Sequence, residues 1–174
     1  MINIFKFSWP ILLSWTVAYA IFEPISYVVI PAVSKAQSVQ DYYNPRKIPI
    51  PVVFFGDYIY STFLFVVAQI FITATLGAPI TLLDWIIRFA AFVAVQWTGD
   101  FSFYMLINWI PQKTAYLQFF RRYTEEVSVG APIGDTIYGL CWFALTQFVA
   151  TYLTVPTQVA ILSLFLFGTL VVSY

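Results

Sequence analysis

Apolar stretches long enough to cross a bilayer alternate with two polar connections, and that alternation sets the expected architecture. A helix needs roughly 20 apolar residues to span about 30 Å of hydrocarbon. Trp9 to Ile30, Ile59 to Leu76 and Leu82 to Ile110 each approach or exceed this length. No charged residue occurs from Thr136 to Tyr174, and Pro156 divides that stretch into two lengths near the spanning minimum. The division predicts a tight helical hairpin. The pattern as a whole predicts an all-α polytopic membrane bundle of about five transmembrane helices, with residues 1–174 as one transmembrane domain.

The polar connections run from Pro31 to Val53 and from Pro111 to Pro132. In the first, Pro45, Pro49 and Pro51 disfavour a continuous helix and predict an extended lead-in to the next span. Pro24, directly after Glu23, predicts a kink or an end in the first helix. In the second connection Tyr116, Phe119, Phe120 and Tyr123 fall on one helical face, with Lys113 ahead of them and Arg121 and Arg122 on the flanks. This predicts a surface amphipathic segment whose aromatic face meets lipid or a partner subunit. A Gly/Pro turn, Gly130-Ala131-Pro132-Ile133-Gly134, is expected to lead back into the membrane.

Composition narrows the class. The chain is 61% hydrophobic and 9% charged, with mean hydropathy +0.83, too little charge to cover a water-soluble fold. The one basic residue before the first apolar run, Lys6, and the continuation of that run to Ile30 predict a retained helix rather than a cleaved signal. Lys35, Arg46, Lys47, Lys113, Arg121 and Arg122 all fall in the two connections, while Lys6 and Arg88 fall on the other side. By the positive-inside rule the connections face the cytoplasm, or the matrix if the membrane is mitochondrial. Scattered bases and zero net charge give nucleic acid nothing to bind.

Candidate chemistry is sparse. The chain has no histidine and one cysteine, Cys141, which lies in an apolar run and is expected to be an inert packed thiol. A serine–histidine nucleophile, a cysteine-based zinc site and an internal disulfide are therefore excluded, and no phosphate-binding glycine motif is present. Asp84 and Arg88 have the i, i+4 spacing of a helical ion pair. Glu23, Asp57, Asp100 and Asp135 are the intramembrane polar candidates; at depth they must face protein or water. Gln69, Gln96 and Gln147 are the expected partners of Asp100. A faint repeat sets Gly56-Asp57-x-Ile59-Tyr60 against Gly134-Asp135-x-Ile137-Tyr138, each opening a membrane helix after a basic connection. A paired Asp57/Asp135 transport site is one consequence, although Asp57, Asp100 and Asp135 are expected at different depths.

Asp100, Phe101, Phe103 and Tyr104, then Tyr116, Arg121-Arg122, Glu125 and Ala131-Pro132-Ile133-Gly134, stand in an order that resembles the fatty acid hydroxylase and sterol desaturase superfamily of membrane di-iron oxygenases. In those enzymes a helix of the form D-x-x-x-Y-W-x-H-R-x-x-H leaves the membrane. A segment like L-Y-K-x-x-H-K-x-H-H follows, then a turn like A-P-x-G. The resemblance places the iron-binding histidines at Ile107 and Pro111 and at Phe120, Tyr123 and Thr124, none of which is a histidine here. It implies a degenerate member without metal or other cofactor, a pseudoenzyme rather than an enzyme. The expected function is a non-catalytic structural subunit of a larger membrane protein complex, in the mitochondrial inner membrane or the endoplasmic reticulum. Its partners would be other membrane subunits and membrane lipids, with Tyr116, Phe119, Phe120, Tyr123, Arg121 and Arg122 as contact candidates. The alternatives are a lipid- or sterol-binding pseudoenzyme that keeps the enzymes' cavity and, less favoured, a small transporter using Asp57, Asp100 and Asp135.

Overall fold

The computed structural model describes residues 2–111 and 113–172. Among these the elements are α1 (Trp9–Val33), α2 (Gln37–Tyr42), α3 (Ile50–Leu76), α4 (Leu82–Trp109), α5 (Ala115–Val127), α6 (Gly130–Tyr152) and α7 (Val155–Val171). By length and composition three of the described helices, α1, α3 and α4, are apolar enough to cross a membrane, against the five spans expected; α7 is apolar but only 17 residues long, and the 23-residue α6 is not among the three. The protein is thus an all-α membrane protein.

The helices close into a ring. α1 packs along α6, α6 meets α4, α4 lies along α3, and α3 touches α1. α7 packs on α1 and reaches α3, where Phe165 stacks on Phe54, and α2 and α5 pair across one end.

Proline placement separates the expected helix boundaries from the observed ones. α3 begins at Ile50, straight after Pro49, and not near Ile59. Pro51 lies in its first turn, where a missing N–H leaves no hydrogen bond unmade. The expected extended lead-in is therefore helix. In the same way Gly130 to Gly134 form the opening of α6, with Pro132 in its first turn. The chain reverses one step earlier, at Ser128, whose φ of 47° is unusual for a residue with a side chain. α1 runs through Pro24 and Pro31 without a break. Burial of its face against α6 and α7 outweighs the hydrogen bond lost at each proline. The chain does break before Pro156, which lies in the first turn of α7, but the expected tight hairpin does not form: α6 and α7 each pack on α1 rather than along one another.

An aromatic stack holds the bundle at the end away from α2 and α5. The Trp15 ring, fully buried, lies between Phe65 and Trp142, each with its centroid 3.9 Å away. Both indole N–H groups are satisfied: Trp15 donates to Thr62 Oγ1 at 3.1 Å and Trp142 donates to the Trp15 carbonyl at 2.8 Å. Phe92 and Phe143 pack edgewise against the stack. The N-terminal segment tucks in beside it, with Gln69 donating to the Ile4 carbonyl at 2.7 Å.

At the opposite end, ion pairs fasten α5 to α2. Asp41 accepts from Lys47 Nζ at 2.7 Å, from Gln37 at 2.8 Å and from Arg122 at 2.7 Å, and the Ser38 N–H donates to Glu126 at 2.7 Å. Lys47, then Gln37 and Arg122, hold the Asp41 carboxyl down at about 2. A carboxylate with a depressed pKa stabilises the fold above its ordinary value, about 3.9, and loses that contribution as pH falls through the depressed one. Protection factors of the α5 amides, with the intrinsic pH dependence of exchange divided out, should therefore fall between about pH 4 and about pH 2. Lys47 and Arg122 are half exposed, so each bond contributes about 1 kcal/mol or less. Protection factors in α5 that are flat across this window would show that Asp41 does not hold the cap.

Candidate functional site

The ring surrounds an open cavity of about 1140 Å³. Its floor is the aromatic stack, through Trp15, Phe92 and Trp142, and its roof is built from Tyr42 and Tyr43 of the α2 region and Tyr116, Phe120 and Tyr123 of α5. Typical small-molecule sites measure about 300–1,000 Å³, so this one has room for a lipid-sized molecule.

Asp57, Asp100 and Asp135 all line it, one each from α3, α4 and α6. At 1.5 Å of rise per residue they lie roughly 8–14 Å from the helix ends on the α2/α5 side. They thus share the α2/α5 half of the bundle while still spread over about 6 Å in depth. α3 and α6 start earlier than their prolines suggested, which carries Asp57 and Asp135 inward toward Asp100.

Tyrosines hold most of these acids. Tyr42 donates to Asp57 at 2.6 Å, Tyr60 donates to Asp100 at 2.8 Å, and Tyr138 donates to the fully buried Glu23. Asp100 therefore bonds to Tyr60 rather than to the three glutamines. Gln69 is spent on Ile4, Gln147 reaches Thr151, and Gln96 Oε1 has no partner. Gly99 makes the Tyr60 contact possible. A Cβ there would stand 2.6 Å from a Leu64 methyl carbon and 3.3 Å from the Tyr60 hydroxyl, so glycine lets α3 close on α4. Each copy of the Gly-Asp-x-Ile-Tyr repeat supplies an aspartate to the cavity and a tyrosine to a carboxylate on another helix. That repeat was the sequence signal for the tyrosine–carboxylate pairs.

No lysine or arginine is among the described lining residues. Arg122 is held by Asp41, and Arg121 caps the end of α4 by donating to the carbonyls of Ile107 at 3.1 Å and Asn108 at 2.9 Å. The roof tyrosines register the acids below them. Burial, then Asp135, Asp57 and Asp100, raises the Tyr123 phenol above its usual range. Burial, then Asp57, does the same to Tyr42. Both stay protonated donors.

Of the positions matching lost iron ligands, Phe120, Tyr123 and Thr124 face the cavity from α5. Ile107 is buried on α4, and Pro111 is exposed just past its end. Among the described residues no three of His, Cys, Asp and Glu are grouped closely enough to hold a metal ion. The contact candidates of α5 turn largely onto their own chain: Phe119 stacks on Tyr42, and Phe120 packs on Phe103 and Tyr116. Tyr116 remains exposed. Cys141 is not packed as expected; it is exposed and lines the cavity. Compared with family models, curated proteins and solved structures, the chain gives no match.

Proposed function

We propose that the protein is a non-catalytic, ligand-binding membrane protein that holds an amphipathic molecule of the lipid or sterol class in this cavity. The observation that carries it is the cavity's polarity gradient, with carboxylates and tyrosines at the α2/α5 end and an aromatic floor toward the other. A polar head at one end and an apolar body at the other match that gradient. A hydroxylase-like ancestry fits as well, since Phe120, Tyr123 and Thr124 face the space a substrate would fill.

A structural-subunit role has one observation in its favour, the large aromatics left outward at Trp9, Trp109 and Tyr152. Lipid covers such residues equally well. The α5 aromatics lend it less support, because most of that face is taken up by Tyr42 and Phe103.

Mass spectrometry of the protein purified in mild detergent should find one lipid class bound stoichiometrically and enriched over the surrounding membrane. Gly134 lines the cavity, and a Cβ added there meets nothing within 4 Å. Gly134→Trp should therefore fill the space without a backbone clash, while removing a helix-interior glycine favours α6 by about 0.5–1 kcal/mol. The expected result is loss of bound lipid with thermal stability kept or raised. Co-purified lipid that mirrors the bulk membrane, unchanged in Gly134→Trp, would defeat the proposal.

A further inference from the structure

We infer that the cavity's ligand carries a protonated amine with free N–H groups at its head and an apolar chain behind it. This rests on the cavity being the ligand site. Three observations point to that chemistry.

The first is the character of the unpaired groups. Gln96 lines the cavity at 7% exposure, and its Oε1 has no hydrogen-bond partner. Asp100 has one oxygen held by Tyr60, while its Oδ2 is buried and unpartnered. Asp135, exposed and lining the cavity, accepts no hydrogen bond from any described residue. All three are acceptors. Gln96 Oε1 and Asp100 Oδ2 are buried, and a buried acceptor left bare costs about 1–3 kcal/mol, so the matching ligand brings donors.

The second is charge. Asp57, Asp100 and Asp135 face the cavity, and no basic side chain among the described lining residues answers them. A phosphate-bearing head would meet carboxylates without a compensating cation, which disfavours it. A single positive charge is complementary, and the lining holds several tyrosine rings, the residue type that attracts cations to its face.

The third is spacing. The carboxylates come from separate helices and do not group as a metal site does. A bare metal ion needs converging ligands at about 2.0–2.6 Å. An ammonium with several N–H donors reaches acceptors about 2.7–2.9 Å away in different directions, and its chain can lie down the cavity onto Trp15, Phe92 and Trp142.

The test uses the full-length protein in a neutral maltoside detergent, read by tryptophan fluorescence because Trp15 and Trp142 line the floor. The probes are dodecylamine, 1-dodecanol and methylammonium chloride. Dodecylamine should bind at least about tenfold more tightly than dodecanol, the difference expected from a charge-assisted hydrogen bond. Asp135→Asn, which removes charge but no hydrogen bond to a described residue, should erase that preference and leave dodecanol binding unchanged. Equal binding of amine and alcohol to the wild type overturns the amine head while leaving the cavity as the ligand site. That comparison decides the point even if the variant fails to fold. A preference that survives in Asp135→Asn and also in Asp100→Asn overturns the assignment of the head to these carboxylates. Methylammonium binding as tightly as dodecylamine overturns the apolar chain. Binding of neither amphiphile overturns the ligand-binding proposal itself.

Discussion

Trp15→Ala is expected to lower the unfolding free energy by about 3–5 kcal/mol, the range for removing a fully buried large aromatic. The ring has no exposed surface and touches three other helices. It stacks on Phe65 of α3 and Trp142 of α6 and meets Phe92 of α4 edge-on. Its loss opens a void beneath three neighbours at once, and Thr62 loses the N–H that it accepts. Helical membrane proteins gain little from hydrophobic exclusion between helices, so close packing of this kind is what joins the spans. The consequence reaches the site, because the same ring is part of the cavity floor. Trp15→Phe keeps most of the stack but cannot donate to Thr62, and should cost clearly less than the alanine change. Denaturant titration in detergent micelles measures both. An alanine variant within about 1 kcal/mol of wild type would show that the stack fills space without joining the helices.

Fold class was legible in the sequence because the physics behind it is coarse. Twenty apolar residues in a row have few fates, and charge as sparse as 9% leaves no soluble alternative. The amphipathic α5 was legible from the spacing of Tyr116, Phe119, Phe120 and Tyr123. Helix starts were harder, since proline breaks a helix in its interior and begins one at its edge, and the sequence does not label which applies. That ambiguity hid the cavity. With α3 starting near Ile59, Asp57 lies just ahead of the helix; with α3 starting at Ile50, it lies two turns inside and lines a space shared with Asp100 and Asp135. The tyrosine partners of the acids were half visible in the repeat. What the repeat did not contain is the rotation of each helix, which decides that Tyr138 reaches Glu23 and Tyr60 reaches Asp100. Cys141 was misjudged for a related reason: an apolar stretch does not reveal which of its faces meets a neighbour.

Arg88→Ala is expected to cost about 3 kcal/mol, mostly through the end of a different helix. Its spacing from Asp84 suggests an i, i+4 ion pair, and the two do approach, but only to 3.8 Å. Asp84 is committed elsewhere, accepting from the backbone N–H of Ile80 at 3.0 Å and of Thr81 at 2.8 Å, where it closes a capping box at the start of α4. The Arg88 guanidinium instead donates to the carbonyls of Leu76 and Gly77, which α3 leaves open at its C-terminus. The arginine is 3% exposed, so water does not take over when it is removed. Gly77, at φ 63°, turns the chain there and lets both carbonyls point at the same side chain. Hydrogen bonds to a charged group contribute about 1.5–3 kcal/mol each, and the favourable end of the helix dipole adds to them. Arg88→Lys retains the charge but not the planar fork, so it should recover only part of the loss. Asp84→Asn, by contrast, keeps an oxygen for the cap and should cost under about 1 kcal/mol. If Arg88→Ala and Asp84→Asn destabilise equally, the ion pair rather than the capping of α3 is what Arg88 contributes.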